Sequence, residues 1–257
     1  MTLNVYPTRQ RHFTFLVVFW DALPLLARFH NLQILHLCFD SSFTLQDYKQ
    51  YSTKLRSRVL TTVFRILSGT FEKDSSKTAN EAHASATTEI PLQGTLSSPI
   101  SPSTLIIFNL GDYHDPELSN MPGFKAIMGG ITALRLDIAQ HKEMISRYLE
   151  STAARNQCQE MFTQLPFTWL SPTIATNLQV LSLCYQSYWG WFPNIDICLI
   201  GGGNGMPKLR SLALGRFVFS HLREVDWIAS LDLEELFLEG CAVLAKHHGH
   251  PATRGGL

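Results

Sequence analysis

The segment DYHDPEL, residues 112 to 118, places several chemically capable side chains close together. Asp112, His114, Asp115 and Glu117 are residue types that bind metal ions or act as an acid and base pair. The order Asp115, Pro116, Glu117 is also typical of a helix start, with an N-cap, a proline in the first turn and an acid near the positive end of the helix dipole. We interpret the segment as a helix cap and predict no metal site.

Four glycines follow an apolar run in the segment ICLIGGGNGMPK and invite comparison with a phosphate-binding loop. They are Gly201, Gly202, Gly203 and Gly205. Such a loop requires Gly-Lys-Ser/Thr or Gly-x-Gly-x-x-Gly followed by a helix, whereas Met206 and Pro207 lead into another apolar stretch. We predict a turn, and no cofactor.

The cysteines and histidines offer two further candidate sites. The cysteines are scattered, odd in number and without a Cys-x-x-Cys pair, which disfavours a disulfide framework or a zinc knuckle. We predict a structural thiol at Cys241, and a polar tail without a designed metal site at His247, His248 and His250. A hydrolase-like enzyme that uses His114 or Cys241 is an alternative, but no nucleophile, base and orienting group are evident together, so we predict no catalytic residue.

The segment YWGWFP, residues 188 to 193, is the richest in aromatic side chains. Exposed, these rings would form a binding hot spot, whereas buried rings would fill space beneath a turn. Gly190 and Pro193 are typical turn residues. We therefore predict burial, with an exposed binding site as the alternative.

A leucine pattern at positions one, four and six recurs along the chain and predicts the elements that position these groups. It is typical of short strands with one apolar face, and copies roughly 20 to 29 residues apart are typical of leucine-rich repeats. The copies are Leu32/Leu35/Leu37, Leu105/Phe108/Leu110, Ile131/Leu134/Leu136, Leu178/Leu181/Leu183, Leu209/Leu212/Leu214 and Leu233/Leu236/Leu238, with Phe13/Leu16/Val18 as a weaker first copy.

Helical periodicity lies between the predicted strands. Apolar residues recur three or four apart from about Asp47 to Leu67, from Met144 to Leu149, from Met161 to Leu165 and, after an N-cap at Ser220, from Leu222 to Ile228. Alternation of strand and helix predicts the α/β class and, more specifically, an irregular leucine-rich-repeat solenoid that forms a single domain over residues 1–257.

Two segments fall outside this pattern. Residues 73–104 are rich in Ser, Thr, Ala and Pro and contain no Phe, Tyr or Trp. Such a segment buries too little apolar surface to offset its ordering entropy, so we predict a disordered loop. We also predict a disordered tail at residues 246–257.

Charge and hydropathy disfavour several classes of partner. The 21 Lys and Arg residues balance the 21 Asp and Glu residues, so no broad positive field is available for nucleic acid. The apolar run at residues 13 to 20 is interrupted by Asp21 and Pro24, and no stretch reaches the ~18 apolar residues of a membrane helix. We predict an intracellular protein, cytoplasmic or nuclear, with a secreted or surface repeat protein as the alternative.

Several sequence blocks together carry a resemblance to a known family. They are NLGDYHDPEL, FKAIMGGITALRL, TWLSPTIATNLQVLSL, YWGWFP, MPKLRSLALGRFVFSH, VDWIAS and LEELFLEGC. From Phe13 to Leu244 the chain resembles a large fungal family of F-box proteins with leucine-rich-repeat-like C-terminal regions. The resemblance implies a non-enzymatic substrate receptor of a cullin-based ubiquitin ligase, in which the repeats bind a target protein.

The resemblance does not extend to the F-box itself. In the family this helical module begins with Leu-Pro and a following acid, whereas here Leu23 and Pro24 are followed by LLARF and then by the first clear repeat. Binding of the ligase adaptor is therefore not expected, and the partner is a protein target of unknown identity.

The side chain between positions four and six of each copy is expected to point away from the core, because successive side chains of a strand alternate between its faces. We therefore predict that these residues form a row on the open face of the sheet. Asp137 and Glu239 are expected one step further along the same face of their strands. The predicted row is His36, Asn109, Arg135, Ser182, Ala213 and Phe237. We predict that this mixed surface, apart from the small Ala213, binds the partner protein.

Overall fold

The computed structural model describes residues 1–5, 19–40, 49–71, 99–140 and 152–244. Within them, seven parallel strands lie in one sheet in the same order as in the chain, and a further short strand, β8, pairs with β6. The strands are β1 (Thr2–Val5), β2 (Ile34–Phe39), β3 (Thr104–Gly111), β4 (Ala133–Ala139), β5 (Val180–Trp189), β6 (Ser211–Phe219), β7 (Glu235–Glu239) and β8 (Ala242–Val243).

Helices occupy most of the described connections between strands. The α-helices are α1 (Lys49–Leu67), α2 (Pro116–Asn120), α3 (Pro122–Gly129), α4 (Thr152–Gln164), α5 (Pro172–Ala175) and α6 (Leu222–Ala229), and the 3₁₀ helices are Leu23–Arg28, Leu165–Phe167 and Ile197–Gly203. The helices predicted from Asp47 to Leu67, around Met161 and from Leu222 are confirmed, whereas the one predicted from Met144 to Leu149 lies outside the described residues. The prediction of an α/β class is confirmed.

One face of the sheet contributes to a single hydrophobic core. Leu35, Leu105, Leu134, Leu181 and Leu212 lie side by side in adjacent strands, and each is at most 1% exposed. A second ladder of apolar residues, two positions further along each strand, is buried with them. Burial of these ladders against the helices is the main favourable contribution to folding, since apolar burial stabilises by about 25 cal/mol per Å².

The register of β3 corrects one predicted strand. Leu105 pairs with Leu134 and Ile107 with Leu136, so the buried ladder continues through Ile107 and not through Phe108. TLIIFNL is apolar at nearly every position, so spacing alone does not reveal which residues face the core. The hydrogen bonds from the Ser103 and Thr104 N–H groups to the Gln33 carbonyl fix the register at the start of the strand.

Three other predicted boundaries differ from the structure or lie outside it. The C-terminal boundary of the loop predicted for residues 73–104 is placed too far along the chain, because Ile100 is buried and β3 begins at Thr104. Residues 72–98 lie outside the described part. The N-cap of α6 is His221 and not Ser220, although Ser220 donates its N–H and hydroxyl to Glu224. The weak first copy at Phe13 and the predicted tail also lie outside the described residues.

Candidate functional site

The open face of the sheet carries a row of side chains in register. Thr2, His36, Ile106, Arg135, Ser182, Ala213 and Phe237 pair successively across the seven strands. The structure therefore brings together His36, Arg135, Ser182, Ala213 and Phe237 as predicted. Arg135 and Phe237 are exposed, and the other three are partly buried.

The predicted position of Asn109 in this row is wrong, because Ile106 occupies it. Asn109 lies at a break in register near the carboxyl end of β3 and has a positive φ of 56°. Its side-chain amide donates to the Phe39 carbonyl at 2.7 Å and accepts a hydrogen bond from Gln186 at 3.2 Å. Asn109 therefore links the ends of β2, β3 and β5, and its observed contacts are structural.

A second row lies two residues further along the strands. Phe108, Asp137, Cys184, Gly215 and Glu239 pair successively, so Asp137 and Glu239 share a row as predicted. A Cβ atom on Gly215 would lie 2.6 Å from the Cys184 Sγ atom, which shows that this thiol packs directly over the glycine. The absence of a side chain at Gly215 lets the thiol lie close to the sheet.

Two arginines and a carboxylate determine the electrostatics of this face. Burial raises the pKa of Asp137, and the nearby Arg135 and Arg216 guanidinium groups partly oppose the rise. Burial, followed by the Asp137 charge, raises the pKa of the Cys184 thiol. A thiol with a raised pKa stays protonated at neutral pH and is a weak nucleophile, so this cluster is better suited to recognition than to covalent catalysis.

The arginines also contact groups other than carboxylates. The Arg135 guanidinium lies 5.0 Å from the centre of the Phe108 ring, within the range of a cation–π contact. Arg216 has a positive φ of 59° and donates from Nη1 to the Gln186 carbonyl. The open face therefore presents apolar, cationic, anionic and hydroxyl groups side by side.

The aromatic cluster at residues 188–193 is only partly buried, so the prediction of burial is wrong for three of its rings. Trp189 is 1% exposed and donates its indole N–H to the Gly215 carbonyl, whereas Tyr188, Trp191 and Phe192 are 55%, 57% and 43% exposed. The Arg155 guanidinium lies 4.7 Å from the centre of the Phe192 ring. The exposed rings thus lie at the end of β5 and just beyond it.

A buried polar network beside the carboxyl ends of β3 and β5 was not predicted. The Tyr185 hydroxyl donates to Asp112 Oδ2 at 3.0 Å, and the Cys158 Sγ atom lies 3.5 Å from the same hydroxyl. Burial and the Asp112 charge raise the pKa of Tyr185, which keeps the phenol protonated as a donor. Arg56 is fully buried; burial lowers its pKa, and the Tyr113 and Asp112 charges oppose that decrease.

The spacing of residues in α1 is a sequence signal for part of this network. Arg56 precedes Leu60, Val63 and Leu67 at helical spacing, so it lies on the buried side of α1. A charged residue on an apolar helix face requires a polar environment in the core. Tyr113 and Asp112 lie near that position, and the Tyr185 hydroxyl bonds Asp112.

A cleft of about 680 Å³ lies along α1 and the start of α2. Hydroxyl and basic side chains of α1, including Lys54 and Arg58, line it together with Asp115 and Glu117. The Arg58 guanidinium lies 4.3 Å from the centre of the Trp20 ring. Because both signs of charge line the cleft, its electrostatics favour neither an anionic nor a cationic ligand.

The remaining candidate groups have structural contacts. Asp115 caps α2 as predicted, since its Oδ1 atom accepts from the Leu118 N–H at 3.1 Å. The Cys241 thiol donates to the Leu214 carbonyl at 3.2 Å, a contact of the structural kind predicted for it. The four glycines from Gly201 to Gly205 have positive φ angles in a turn, and the three tail histidines lie outside the described residues.

Among the described residues, no three His, Cys, Asp or Glu side chains are placed to hold one metal ion. No helix in the same part of the chain is long and apolar enough to cross a membrane.

Comparison of the chain with protein-family models, curated proteins and solved structures found no match.

Proposed function

We propose that the chain is a non-enzymatic scaffold that binds a protein through the open face of its sheet. The observation that carries the proposal is the in-register row of His36, Arg135, Ser182 and Phe237, which lies on the face opposite the hydrophobic core. Rigid strands hold these groups at fixed spacing. Mixed charge, hydroxyl and aromatic groups at fixed spacing are typical of protein recognition surfaces.

The finer architecture that we propose is an irregular leucine-rich-repeat solenoid. The strictly sequential order of β1 to β7 supports it, because in a solenoid each unit contacts mainly its neighbours along the chain. The Cys241 contact with the Leu214 carbonyl supports it too, since such repeats often bond an Asn or Cys side chain to the backbone after the strand. The connections vary in length, as expected of irregular repeats.

The biological role that we propose is target recognition of the F-box receptor kind, in an intracellular compartment. The support is the resemblance of the sequence blocks together with the open sheet face. In the structure, the 3₁₀ helix Leu23–Arg28 is followed almost directly by β2 at Ile34, which leaves little chain between them for a helical module. We therefore expect this chain to capture a target without binding the ligase adaptor.

The test is affinity capture from an extract of the source organism with variants of the open face. Arg135→Glu reverses the exposed charge at the centre of the row, and Ser182→Tyr adds bulk on the neighbouring strand. Lys125→Glu is the matched control, because Lys125 is exposed on α3 and away from the strands. We expect the two open-face variants to lose the same captured proteins that the control retains, at unchanged melting temperatures.

Two results would contradict the proposal. If the open-face variants and Lys125→Glu capture the same proteins as the wild type, the open face is not the binding surface. If all three variants lose capture at unchanged melting temperatures, capture does not depend on the open face in particular, and the proposal fails. Direct cross-linking from residue 135 to a captured protein would add independent support.

A further inference from the structure

The edge strand β7 exposes the leucines that face the core side of the sheet. The residues at the same register positions in β2 to β6 are buried. Leu236 and Leu238 are 44% and 48% exposed, whereas Leu212 and Leu214, their register partners in β6, are 0% and 3% exposed. Within the described residues β7 pairs with β6 alone. An exposed leucine edge of this kind is a marker of an interaction site.

The backbone of β7 offers hydrogen bonds along the same edge. The Glu235 N–H donates to the Arg210 carbonyl at 3.0 Å, which directs the peptide groups of Glu235 toward β6. In a parallel strand, successive residues direct their N–H and C=O groups to opposite sides. The N–H and C=O groups of Leu236 and Leu238 therefore point away from β6, where an added strand would bond them.

The helix that precedes β7 also exposes two apolar side chains. Leu222 and Val225 of α6 are 82% and 48% exposed, while Ile228 of the same helix is buried. Besides β7, the helix α6 thus leaves apolar side chains uncovered in the last part of the chain that the structure describes. This apolar surface favours a bound segment that presents apolar side chains of its own.

Acidic residues on β7 determine which segment fits. Glu235 and Glu239 are exposed on the open-face side of the strand, on either side of Phe237. Arg210, the cation nearest the start of the strand, bonds Asp232 at 2.6 Å and lies 3.8 Å from Glu234. No ion pair to Glu235 or Glu239 is formed within the described residues.

A second copy of this chain fits the edge poorly. Antiparallel pairing of two β7 strands about a two-fold axis at Phe237 would place Glu235 opposite Glu239 of the second copy, and like charges directly opposite are destabilising. The other edge strand, β1, has the sequence TLNV and supplies no cation. Neither edge of the chain complements the two glutamates.

We propose that β7 is a docking edge for an extended segment of another protein in which basic residues alternate with apolar ones. The segment adds a strand to the sheet: its backbone bonds the free groups of Leu236 and Leu238, and its basic side chains lie across from Glu235 and Glu239 on the open face. Its apolar side chains cover the two leucines. This is strand addition, in which the backbone supplies affinity and alternate side chains supply specificity.

The test uses synthetic peptides of about seven residues, a typical strand length. The first alternates lysine and leucine, the second has the same composition with the lysines grouped at one end, and the third has glutamate in place of lysine. Binding of each fluorescent peptide to the full chain is measured by polarisation at physiological salt. We expect the alternating basic peptide to bind about tenfold or more tightly than the other two.

Two sets of variants separate strand addition from general attraction. Leu238→Pro removes an N–H on the free side and keeps the pairing with β6, because proline is tolerated on the open side of an edge strand. Leu238→Ala is its matched control, since it shortens the same side chain and keeps the N–H. The double variant Glu235→Lys with Glu239→Lys should transfer preference from the lysine peptide to the glutamate peptide.

The proposal is supported if Leu238→Pro abolishes binding while Leu238→Ala retains most of it, and if the double variant reverses charge preference. It is overturned if the grouped peptide binds as tightly as the alternating one, or if Leu238→Pro and Leu238→Ala bind alike. It is also overturned if sedimentation shows that the chain dimerises and that Leu238→Pro makes it monomeric.

If Leu238→Pro does not fold, the double charge-reversal variant alone determines whether the proposal stands. Lys125→Glu, on α3, lies away from this edge and should not affect peptide binding. The open-face test changes Arg135 and Ser182, whereas this test changes only residues of β7, so the two tests fail independently.

Discussion

Truncation of equivalent leucines along the sheet should give large losses of stability in the interior and a small loss at β7. Leu136, Leu183, Leu214 and Leu238 occupy the same register position in four successive strands. The first three are 0%, 2% and 3% exposed, and Leu238 is 48% exposed. We expect Leu→Ala to reduce the free energy of unfolding by about 2 to 5 kcal/mol at each interior site, through lost burial and the cavity left behind.

The expected loss at Leu238 follows from its exposure. Full burial of a leucine side chain stabilises by about 1.5 to 3 kcal/mol, and about half of Leu238 is already in contact with solvent. Truncation there leaves no enclosed cavity. The loss should therefore be about 1 kcal/mol, several times smaller than at Leu214 on the neighbouring strand.

Urea unfolding followed by tryptophan fluorescence measures all four variants on one scale. As a control, the slope of the unfolding free energy against urea concentration should be the same for every variant. An equal slope shows that each variant unfolds in the same transition. A loss at Leu238 as large as that at Leu214 would refute the reasoning. It would mean that another group covers the edge leucines in solution.

Three further perturbations test individual contacts. Tyr185→Phe removes the donor to buried Asp112 and should cost about 1 to 3 kcal/mol in urea unfolding; no loss would show that the carboxylate does not depend on this bond. Burial raises the pKa of Asp137, so its ionisation opposes folding and stability is lost as pH rises from 3.8 through the folded-state pKa. Asp137→Asn should therefore melt higher than the wild type at neutral pH but not below 3.8, and a difference independent of pH would contradict this. Asp115→Ala should cost about 1 kcal/mol by removing the cap on the Leu118 N–H, whereas Asp115→Asn should retain most of that stability in the same assay.

The leucine pattern predicted β2 and β4 to β7 because in those strands two leucines flank a residue of another type, which is His36, Arg135, Ser182, Ala213 or Phe237. It misplaced β3, where Ile106 and Phe108 are as apolar as their neighbours, so the pattern does not distinguish the two faces. It missed β1, because four residues are too few to display a repeat. These errors moved Asn109 into a row where the structure has Ile106.

The site could be predicted only where it follows from strand alternation. The shared row of Arg135, Ser182 and Phe237 follows from the spacing of leucines within each strand. The exposure of Leu236 and Leu238 does not, because their sequence pattern matches that of the buried leucines and only the position at the sheet edge distinguishes them. The network around Arg56 unites residues far apart in the chain, so helical spacing indicates that Arg56 is buried but not which polar groups lie near it.

The sequential order of the strands has a consequence for variation in chain length. The connection from Phe39 to Thr104 is several times longer than that from Phe219 to Glu235, and yet both join strands that pair side by side in the same parallel register. Insertions between strands therefore leave the partners of each strand unchanged, and lengthening a closed loop costs little entropy per added residue. Homologous chains can thus diverge in length at these connections while the sheet keeps its geometry, and the same connections are suitable places to introduce a tag or a reporter domain.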